Sequence, residues 1–252
     1  MISNKRILIT GVSSGIGRKL AIKLMAKNWV WGVARREVLL KEIESSQIKL
    51  KFNYTKADFS QSGAWQKIIS AMKKAEFIPE VVIFNAGIYK DAKNEGFDIE
   101  IVREVFEVNF FSIIKGIELL QDSYNSRIHF LAISSTSALK GSKSEGIAYG
   151  ASKAALSIAF ESLYQKQLKS NFKFSTIFFG PINTDMNPHK KSRFMVLSEE
   201  EAVNKVIKAI KEQGPVYYSP DSLFRLLFLL RLIPANLTLK ILNFLENLHQ
   251  WI

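Results

Sequence analysis

The sequence predicts a doubly wound α/β fold, in which a mostly parallel sheet is covered by helices on both faces. Three observations support this prediction. Short, largely apolar stretches alternate with longer amphipathic stretches along most of the 252 residues. The apolar stretches resemble strands buried on both faces, and the stretches between them are long enough for crossover helices. No linker or internal repeat interrupts the alternation, so residues 1–252 are predicted to form a single domain.

Seven strand candidates follow one another along the chain. Each is a short run rich in β-branched or aromatic residues, the composition that strands favour. In chain order they are RILIT, WVWGVA, KLKFNYTKAD, EVVIFNAG, RIHFLAISS, FKFSTIFFG and PVYYSP. Their regular alternation with helical stretches favours parallel pairing.

Helical candidates separate these strands. The first carries Ile16, Leu20 and Leu24 on one side, at the spacing of an amphipathic helix. The helix before the last strand begins with an N-cap serine and three acids and is followed by Gly214, which are the usual start and stop signals. The predicted helices span residues 16–27, 37–46, 63–75, 99–122, 149–169 and 198–213.

The composition excludes several kinds of site. The chain has no cysteine, so disulfides and thiolate metal sites are excluded. Its histidines, His129, His189 and His249, are scattered, and no metal site is predicted. The net charge is +12 without a long basic tract, which argues against a nucleic-acid partner. The apolar run in the N-terminal KRILIT is too short for a signal peptide, so a cytoplasmic protein is expected.

The turn after the first strand is rich in glycine. Gly11, Gly15 and Gly17 follow the spacing G-x-x-x-G-x-G, and Ser13 and Ser14 lie between them. In a doubly wound sheet this turn meets the N-terminus of a helix, whose free N–H groups attract phosphate. Small residues let a cofactor approach the backbone, so a dinucleotide site is predicted. An ordinary strand-to-helix turn is the alternative.

The end of the second predicted strand indicates which dinucleotide is bound. An acidic residue there would bind the 2′-hydroxyl of NAD(H), whereas arginine suits the 2′-phosphate of NADP(H). Here Ala34 is followed by Arg35 and Arg36, and the first acid, Glu37, comes later. We therefore expect NADP(H), with Arg35 as the main phosphate contact. A solvated arginine pair is the alternative.

Tyr149 and Lys153 form a second pattern. Four residues apart on a helix, they share one face. A tyrosine has an ordinary pKa of about 10, and a nearby ammonium favours its phenolate form and lowers that pKa. Such a tyrosine can serve as the general acid for a carbonyl that receives hydride. The spacing alone also fits an ordinary helix.

Taken together, these motifs resemble the short-chain dehydrogenase/reductase family over roughly residues 5 to 190, which implies a Rossmann-type fold and an oxidoreductase. The order and spacing of the pieces carry the resemblance. They are Thr10-Gly11-(x)3-Gly15-Ile16-Gly17 for the cofactor loop, Asp58 for the adenine contact, Asn85-Ala86-Gly87 for the turn after the fourth strand, Asn109, Ser135, Tyr149 and Lys153 for the catalytic set, and Gly180 to Met186 for the nicotinamide side.

The resemblance implies a role for each member of this set. Lys153 would bind the nicotinamide ribose and lower the pKa of Tyr149, which would give its proton to the substrate oxygen. Ser135 would hold that oxygen, and Asn109 would hold a water linking Lys153 to solvent. The remaining contacts, Ile182 and Thr184, would position the nicotinamide carboxamide. A homo-oligomer is also implied.

Two departures from the family pattern bear on these roles. The family serine usually stands 13 residues before the tyrosine, a position occupied here by Thr136, whereas Ser135 stands 14 before Tyr149. Ser135 is preferred because ISS and Gly141 keep their usual relation to each other, which places the extra residue in the loop between Gly141 and Tyr149. Thr136 is the alternative. The usual Pro-Gly after the sixth strand is replaced here by Phe179-Gly180. This change affects the bend of the loop that would contact the nicotinamide.

Residues 187–252 are expected to select the substrate through a polar loop and two apolar helices. Within LFRLLFLLRLI, residues 223–233, only two arginines interrupt the apolar run, which is too short to span a bilayer. Residues 222–252 would form a lid over an apolar substrate, an oligomer interface or a peripheral membrane contact, with plain packing on the domain as the fourth alternative. A hydrophobic small-molecule substrate is expected.

The function predicted from the sequence is hydride transfer between NADP(H) and the carbonyl or hydroxyl group of such a substrate, in the manner of a ketone or aldehyde reductase. The same residues would also serve an alcohol dehydrogenase working in the oxidative direction. A non-catalytic NADP-binding sensor or scaffold is the alternative from another class.

Overall fold

The protein folds around one seven-stranded parallel sheet. The structure, a computed structural model, describes residues 2–45, 51–90, 98–139, 141, 147–166, 170–183, 196–231 and 237. The strands are β1 Arg6–Thr10, β2 Trp29–Ala34, β3 Phe52–Lys56, β4 Val81–Phe84, β5 Ile128–Ser135, β6 Phe172–Phe179 and β7 Val216–Ser219. Their spatial order is β3-β2-β1-β4-β5-β6-β7, and every neighbouring pair is parallel.

Helices cover both faces of the sheet, as predicted. They are α1 Gly15–Met25, α2 Glu37–Ser45, α3 Ala64–Lys74, α4 Ile99–Phe106, α5 Ser112–Ser123, α6 Ile147–Lys166, α7 Glu199–Glu212 and α8 Asp221–Arg231. One buried cluster includes Leu20 of α1 and Val206 of α7. A second, on the opposite face, includes Ile117 of α5 and Phe160 of α6. The doubly wound, Rossmann-type α/β class is therefore confirmed.

The predicted helix over residues 99–122 is interrupted. A π-helical turn, Glu107–Phe111, separates α4 from α5. Asn109 lies within this turn and is fully buried, and its side chain bonds to the backbone of Ile88 and to Ser152. A hydrophobic pattern of period 3.6 carries no sign of such a turn, whereas π-helical turns are frequent at functional sites.

Other boundaries differ from the predictions by a few residues. Helix α6 begins at Ile147, two residues earlier than predicted, and is described to Lys166, while residues 167–169 lie outside the described residues. Helix α7 has the predicted N-cap, in which Ser198 and Glu201 form a reciprocal capping box. At its other end the left-handed residue is Gln213, with φ 54°, rather than Gly214.

The buried histidine has a packing role. His129 lies in β5, and its Nε2 is 2.7 Å from the Oγ of Ser175 in β6. Ser175 donates its own proton to the carbonyl of Gly214, so His129 donates to Ser175 through Nε2. Burial lowers the pKa of His129 to about 4, which keeps it neutral. The other two histidines lie outside the described residues.

The strand order creates the crevice in which ligands bind in such folds. Strand β1 lies between β2 and β4, so the chain turns to opposite sides after β1 and after β3. Ligands bind at the carboxyl ends of the strands at such a switch point. The Oγ1 of Thr10, at the end of β1, accepts the N–H groups of Asn85 at 3.1 Å and Ala86 at 3.0 Å. The two segments that border the crevice are thereby joined.

Candidate active site

The glycine-rich turn adopts a conformation that its glycines allow. Gly11 and Gly15 have φ values of 77° and 54°, in the left-handed region that disfavours side chains. A Cβ atom on Gly11 would lie 2.8 Å from the Cα of Ala86. The side-chain amide of Asn85 donates to the carbonyls of Thr10 at 3.1 Å and Gly11 at 3.0 Å. Asn85 therefore holds the turn against the end of β4.

The N-terminus of α1 faces an open pocket. Ser14, the N-cap residue, makes no side-chain capping bond, and the first turn contains no acid, so the free N–H groups favour an anion. A Cβ atom on Gly17 would collide with the carbonyl of Gly11, so only glycine lets α1 pack this closely. The side chain of Ile16 is half-buried and packs against the hydrophobic core. The pocket measures about 390 Å³ and is lined by Ser13, Ser14, Gly15, Arg18, Lys19, Arg36, Leu39 and Glu199.

The two arginines after β2 lie in different places. The Nη2 atom of Arg36 donates to the hydroxyls of Ser13 at 3.0 Å and Ser14 at 2.9 Å. The guanidinium of Arg35 instead lies 4.0 Å from the carboxylate of Asp58. These two residues line a second pocket of about 350 Å³. Arg36, rather than Arg35, therefore stands beside the glycine-rich turn, whereas the sequence reasoning named Arg35 as the main phosphate contact.

Tyr149 and Lys153 share one face of α6. The Nζ of Lys153 lies 5.9 Å from the centroid of the Tyr149 ring. Lys153 is 4% exposed, and its Nζ donates to the carbonyl of Ile133 in β5 at 2.8 Å. This bond fixes the ammonium between α6 and the sheet, beside the tyrosine ring.

The electrostatic setting of Lys153 is unusual for a lysine. Burial lowers its pKa to about 8, because an ammonium loses its hydration there. Among the described residues, none supplies a carboxylate within 4 Å of its Nζ. Such a cation gains from a nearby anion, so it favours the phenolate form of a neighbouring tyrosine.

Asn109 is a fully buried residue of the same site. Its Oδ1 accepts the N–H of Ile88 at 2.9 Å, and its Nδ2 donates to the carbonyl of Ile88 at 3.0 Å and to the hydroxyl of Ser152 at 3.1 Å. A Cβ atom on Gly87 would lie 3.2 Å from Asn109 Oδ1 and 3.5 Å from Lys153 Nζ. The Asn85-Ala86-Gly87 turn, Asn109 and Lys153 thus lie close together, and the roles that the resemblance implies for them stay predictions.

Ser135 ends β5. Its Oγ accepts the N–H of Ser137 at 3.1 Å and lies 2.8 Å from the hydroxyl of Ser137. The preceding Ser134 is buried, with its Oγ 2.8 Å from the hydroxyl of Ser157 in α6, so it serves packing. Thr136 begins the 3₁₀ turn that follows. The roles of Ser135 and of its alternative, Thr136, stay predictions.

Two residues missed by the sequence reasoning lie next to the predicted set. The ring of Tyr89 packs against that of Tyr149 with its edge, at a centroid distance of 5.6 Å. Ser152 donates its hydroxyl to the carbonyl of Tyr149 at 2.8 Å while it accepts from Asn109. Tyr89 follows the Asn85-Ala86-Gly87 turn by two residues, a position that would have drawn attention to it. Ser152 carries no signal in the sequence.

The segment after β6 is only partly described. Ile182 is buried and forms a bridge with Leu197, through bonds from Asn183 N to Leu197 O at 3.0 Å and from Leu197 N to Pro181 O at 2.9 Å. This bridge ties the end of β6 to the start of α7. The other predicted nicotinamide contact, Thr184, lies outside the described residues.

Helix α8 leaves the carboxyl edge of the sheet, where the site lies. A Cβ atom on Gly180 would lie 2.8 Å from Leu223, so α8 packs directly on the end of β6. An aromatic stack extends outward from the sheet, formed by Phe178, Tyr218, Phe224 and Phe228. Within the described residues, no helix has the length and apolarity to span a membrane, and no group of three His, Asp or Glu side chains is placed to hold a metal.

Comparison with known sequences relates the chain to one family. Residues 5–195 match the family model described as short chain dehydrogenase. The chain is similar to epidermal retinol dehydrogenase 2 of Homo sapiens, with 28% identity over 265 residues, covering 98% of this chain and 84% of that protein.

Comparison with solved structures supports the same fold. A short-chain dehydrogenase/reductase from Burkholderia phymatum in complex with NAD has a TM-score of 0.79 at 18% identity, covering 90% of this chain and 93% of that one. A short chain dehydrogenase from Burkholderia cenocepacia in complex with NADP has a TM-score of 0.76 at 18% identity, covering 86% and 96%. Because these two bind different cofactors, the choice between NAD and NADP depends on the residues of this chain.

Proposed function

The chain belongs to the short-chain dehydrogenase family and is an oxidoreductase of CH–OH and C=O groups, and from that premise we propose that it is an NADP(H)-dependent ketone or aldehyde reductase with a hydrophobic substrate. The observation that carries this proposal is the convergence of Tyr149, Lys153 and Asn109 beside the glycine-rich turn. The reverse reaction, oxidation of an alcohol, uses the same residues.

The site fits a dinucleotide. Glycine at positions 11 and 17 lets the turn pack against the Asn85-Ala86 segment and lets α1 pack against the turn, and the first turn of α1 offers N–H groups without a competing acid. Backbone donors at a helix N-terminus suit a pyrophosphate. Ser13, Ser14, Gly15 and Ile16 would lie along it, and Asp58 with Asn85, Ala86 and Gly87 would border the adenosine half.

The preference for NADP(H) is supported by the charges beside this turn. The guanidinium of Arg36 and the hydroxyls of Ser13 and Ser14 form one cluster of hydrogen-bond donors. A 2′-phosphate accepts such donors, and a guanidinium matches its geometry. Glu199, the acid among the residues that line that pocket, is paired with Lys19 at 2.7 Å. We assign the larger share of phosphate binding to Arg36 and a smaller share to Arg35.

Replacing Arg36 with alanine is expected to raise the KM for NADPH by about 10- to 100-fold, since a charged hydrogen bond contributes about 1.5–3 kcal/mol. The KM for NADH should hardly change, because NADH lacks the phosphate. Arg35→Ala is the matched control and is expected to have the smaller effect. Steady-state kinetics with both cofactors measures these values, and a wild-type preference for NADH would contradict the proposal.

The chain's own residues account for the acid–base part of the reaction. The bound cofactor supplies the hydride. Tyr149 donates its proton to the substrate oxygen, which becomes a hydroxyl. Lys153 stabilises the phenolate that remains, and Ser135 donates a hydrogen bond to the same oxygen as negative charge develops there. Asn109 fixes the turn beside Lys153, and Ile182 with Thr184 would hold the carboxamide.

A hydrophobic substrate is supported by the surroundings of the site. Tyr89 offers an aromatic surface next to Tyr149, and the apolar helix α8 packs on the end of β6 through Leu223. The similarity to a retinol dehydrogenase extends over 98% of this chain, so it includes the apolar C-terminal segment. We favour the lid among the roles proposed for that segment.

We expect large apolar carbonyls to be reduced at least about 100-fold more efficiently than small polar ones, because each buried methylene contributes about 0.8 kcal/mol. NADPH oxidation would be followed with all-trans-retinal and decanal on one side and with acetone and pyruvate on the other. The corresponding alcohols with NADP would test the oxidative direction. Reduction of only the small polar carbonyls would contradict the hydrophobic substrate, and no turnover in either direction would contradict the enzyme itself.

Exposed apolar side chains support two proposals on partners. Phe111 and Ile158, on the helices of one face, are 53% and 64% exposed, which suits a homo-oligomer interface. Phe228 and Leu229 of α8 are 51% and 60% exposed beside the exposed Arg225, which suits a peripheral membrane contact, the role of this segment that competes with the favoured lid. Light scattering tests the first and liposome flotation the second. The cytoplasmic location stays a prediction.

A further inference from the structure

Two serine hydroxyls lie together at the carboxyl end of β5. The Oγ atoms of Ser135 and Ser137 are 2.8 Å apart, and the N–H of Ser137 donates to Ser135 Oγ at 3.1 Å. Ser135 is the N-cap of the 3₁₀ turn Thr136–Ala138, which contains Ser137. The resemblance gives a role to Ser135 alone, so the second hydroxyl calls for an explanation.

The 3₁₀ turn that contains Ser137 packs closely against α6, the helix that carries Tyr149. A Cβ atom on Gly150, the residue after Tyr149, would lie only 3.0 Å from the carbonyl oxygen of Ser137. The absence of a side chain at Gly150 therefore allows direct contact between the turn and α6. Both serines are half-buried, so the pair is fixed by the protein on one side and accessible on the other.

The protons of this pair have two arrangements. A serine hydroxyl has one proton to donate and two lone pairs that accept. The N–H of Ser137 occupies one lone pair of Ser135 Oγ. If the hydroxyl of Ser137 donates to the other, the proton of Ser135 is free to point outward. If Ser135 donates to Ser137 instead, its proton is already used.

A carbonyl oxygen selects between these arrangements, because it accepts hydrogen bonds and has no proton to give. It bonds to Ser135 only when Ser137 is the donor within the pair. Hydrogen bonds in such a chain also polarise one another, so a Ser135 hydroxyl that accepts from Ser137 is the stronger donor.

We propose that Ser137 is a positioning residue, whose hydroxyl donates to Ser135 and thereby directs the proton of Ser135 to the substrate oxygen. Ser137 acts through Ser135 and makes no contact with the substrate. This inference rests on the proposed carbonyl reductase function, because it requires that Ser135 bind the substrate oxygen.

A double-mutant cycle tests the proposal, with kcat/KM for the reduction of all-trans-retinal or decanal, whichever the wild type turns over, as the readout. Ser137→Ala keeps the backbone N–H and removes only the hydroxyl. We expect it to lower kcat/KM about 10-fold, the effect of one hydrogen bond, with the Kd of NADPH unchanged. Ser135→Ala should lower it about 100-fold or more. Ser137→Thr, which retains a hydroxyl, should restore most of the activity.

The double variant distinguishes a positioning role of Ser137 from a merely structural one. If Ser137 acts only through Ser135, Ser135→Ala/Ser137→Ala should be no slower than Ser135→Ala alone, within about twofold. A merely structural role for Ser137, or direct contact with substrate, would make the losses multiply and would overturn the proposal. Ser157→Ala, which removes another hydroxyl near β5, is the control and should leave kcat/KM within about twofold.

Different outcomes of this experiment would overturn the proposed function and the role of Ser137. A wild type that reduces neither aldehyde would overturn the proposed function and the role of Ser137 with it. An active wild type with an unaffected Ser137→Ala variant would overturn the role of Ser137 alone.

Discussion

Replacing Tyr149 with phenylalanine is expected to lower carbonyl reduction by about 1000-fold or more while NADPH still binds. The hydroxyl is the only group removed, and general acid catalysis contributes about 10²- to 10⁴-fold. The phenylalanine ring keeps the edge-to-face packing on Tyr89, 5.6 Å away, and the position beside Lys153. The site should therefore stay intact apart from the proton donor.

The measurement combines turnover with cofactor binding. Initial rates of NADPH oxidation give the loss of activity, and titration of NADPH fluorescence gives its Kd, which should stay within about threefold of the wild type. Tyr164→Phe on the same helix is the matched control, because Tyr164 packs against the core. Near-normal turnover by the Tyr149 variant would refute the assignment of the proton donor.

The parts of the fold that were predictable are those governed by local pattern. Each of the seven strand candidates forms a strand of the parallel sheet, because runs rich in β-branched and aromatic residues favour strands. The Ser198 capping box began α7 as the sequence indicated. The interruption at Glu107–Phe111 was not predictable, because it accompanies bonds from Asn109 to Ile88 and Ser152, and long-range bonds leave no mark on hydrophobic periodicity.

The candidate site, like the fold, was predictable from the sequence only in part. Motif order identified Tyr149, Lys153 and Asn109 as members of one site, since their spacing reflects where the strands and helices end. The sequence reasoning named Arg35 as the main phosphate contact, whereas Arg36 is the arginine that lies beside the glycine-rich turn, because the direction of a side chain after a strand depends on neighbours such as Ser13 and Asp58. Ser137 was missed for a similar reason, since isolated hydroxyls have no recognisable pattern.

Lys153→Met is expected to abolish activity and, at the same time, to make the protein more stable at pH 7. Burial lowers the folded-state pKa of Lys153 to about 8, whereas an unfolded lysine has an ordinary pKa of about 10.4. This difference in pKa means that holding the ammonium in the folded protein costs about 3 kcal/mol at neutral pH. Methionine avoids this cost but loses the hydrogen bond to Ile133, worth about 1 kcal/mol. The free energy of unfolding should rise by about 2 kcal/mol.

The pH dependence identifies the cause of this gain. Between the folded pKa of about 8 and the ordinary value of about 10.4, the unfolded chain binds more protons than the folded one, so the stability of the wild type rises with pH. The Met variant lacks this titration, so its advantage should shrink as the pH rises from 7 to 9.5. Denaturant unfolding of both proteins at several pH values measures the difference, with Lys166→Met at the exposed end of α6 as the control. A gain that does not change with pH would mean that improved packing, and not removal of a buried charge, stabilises the variant.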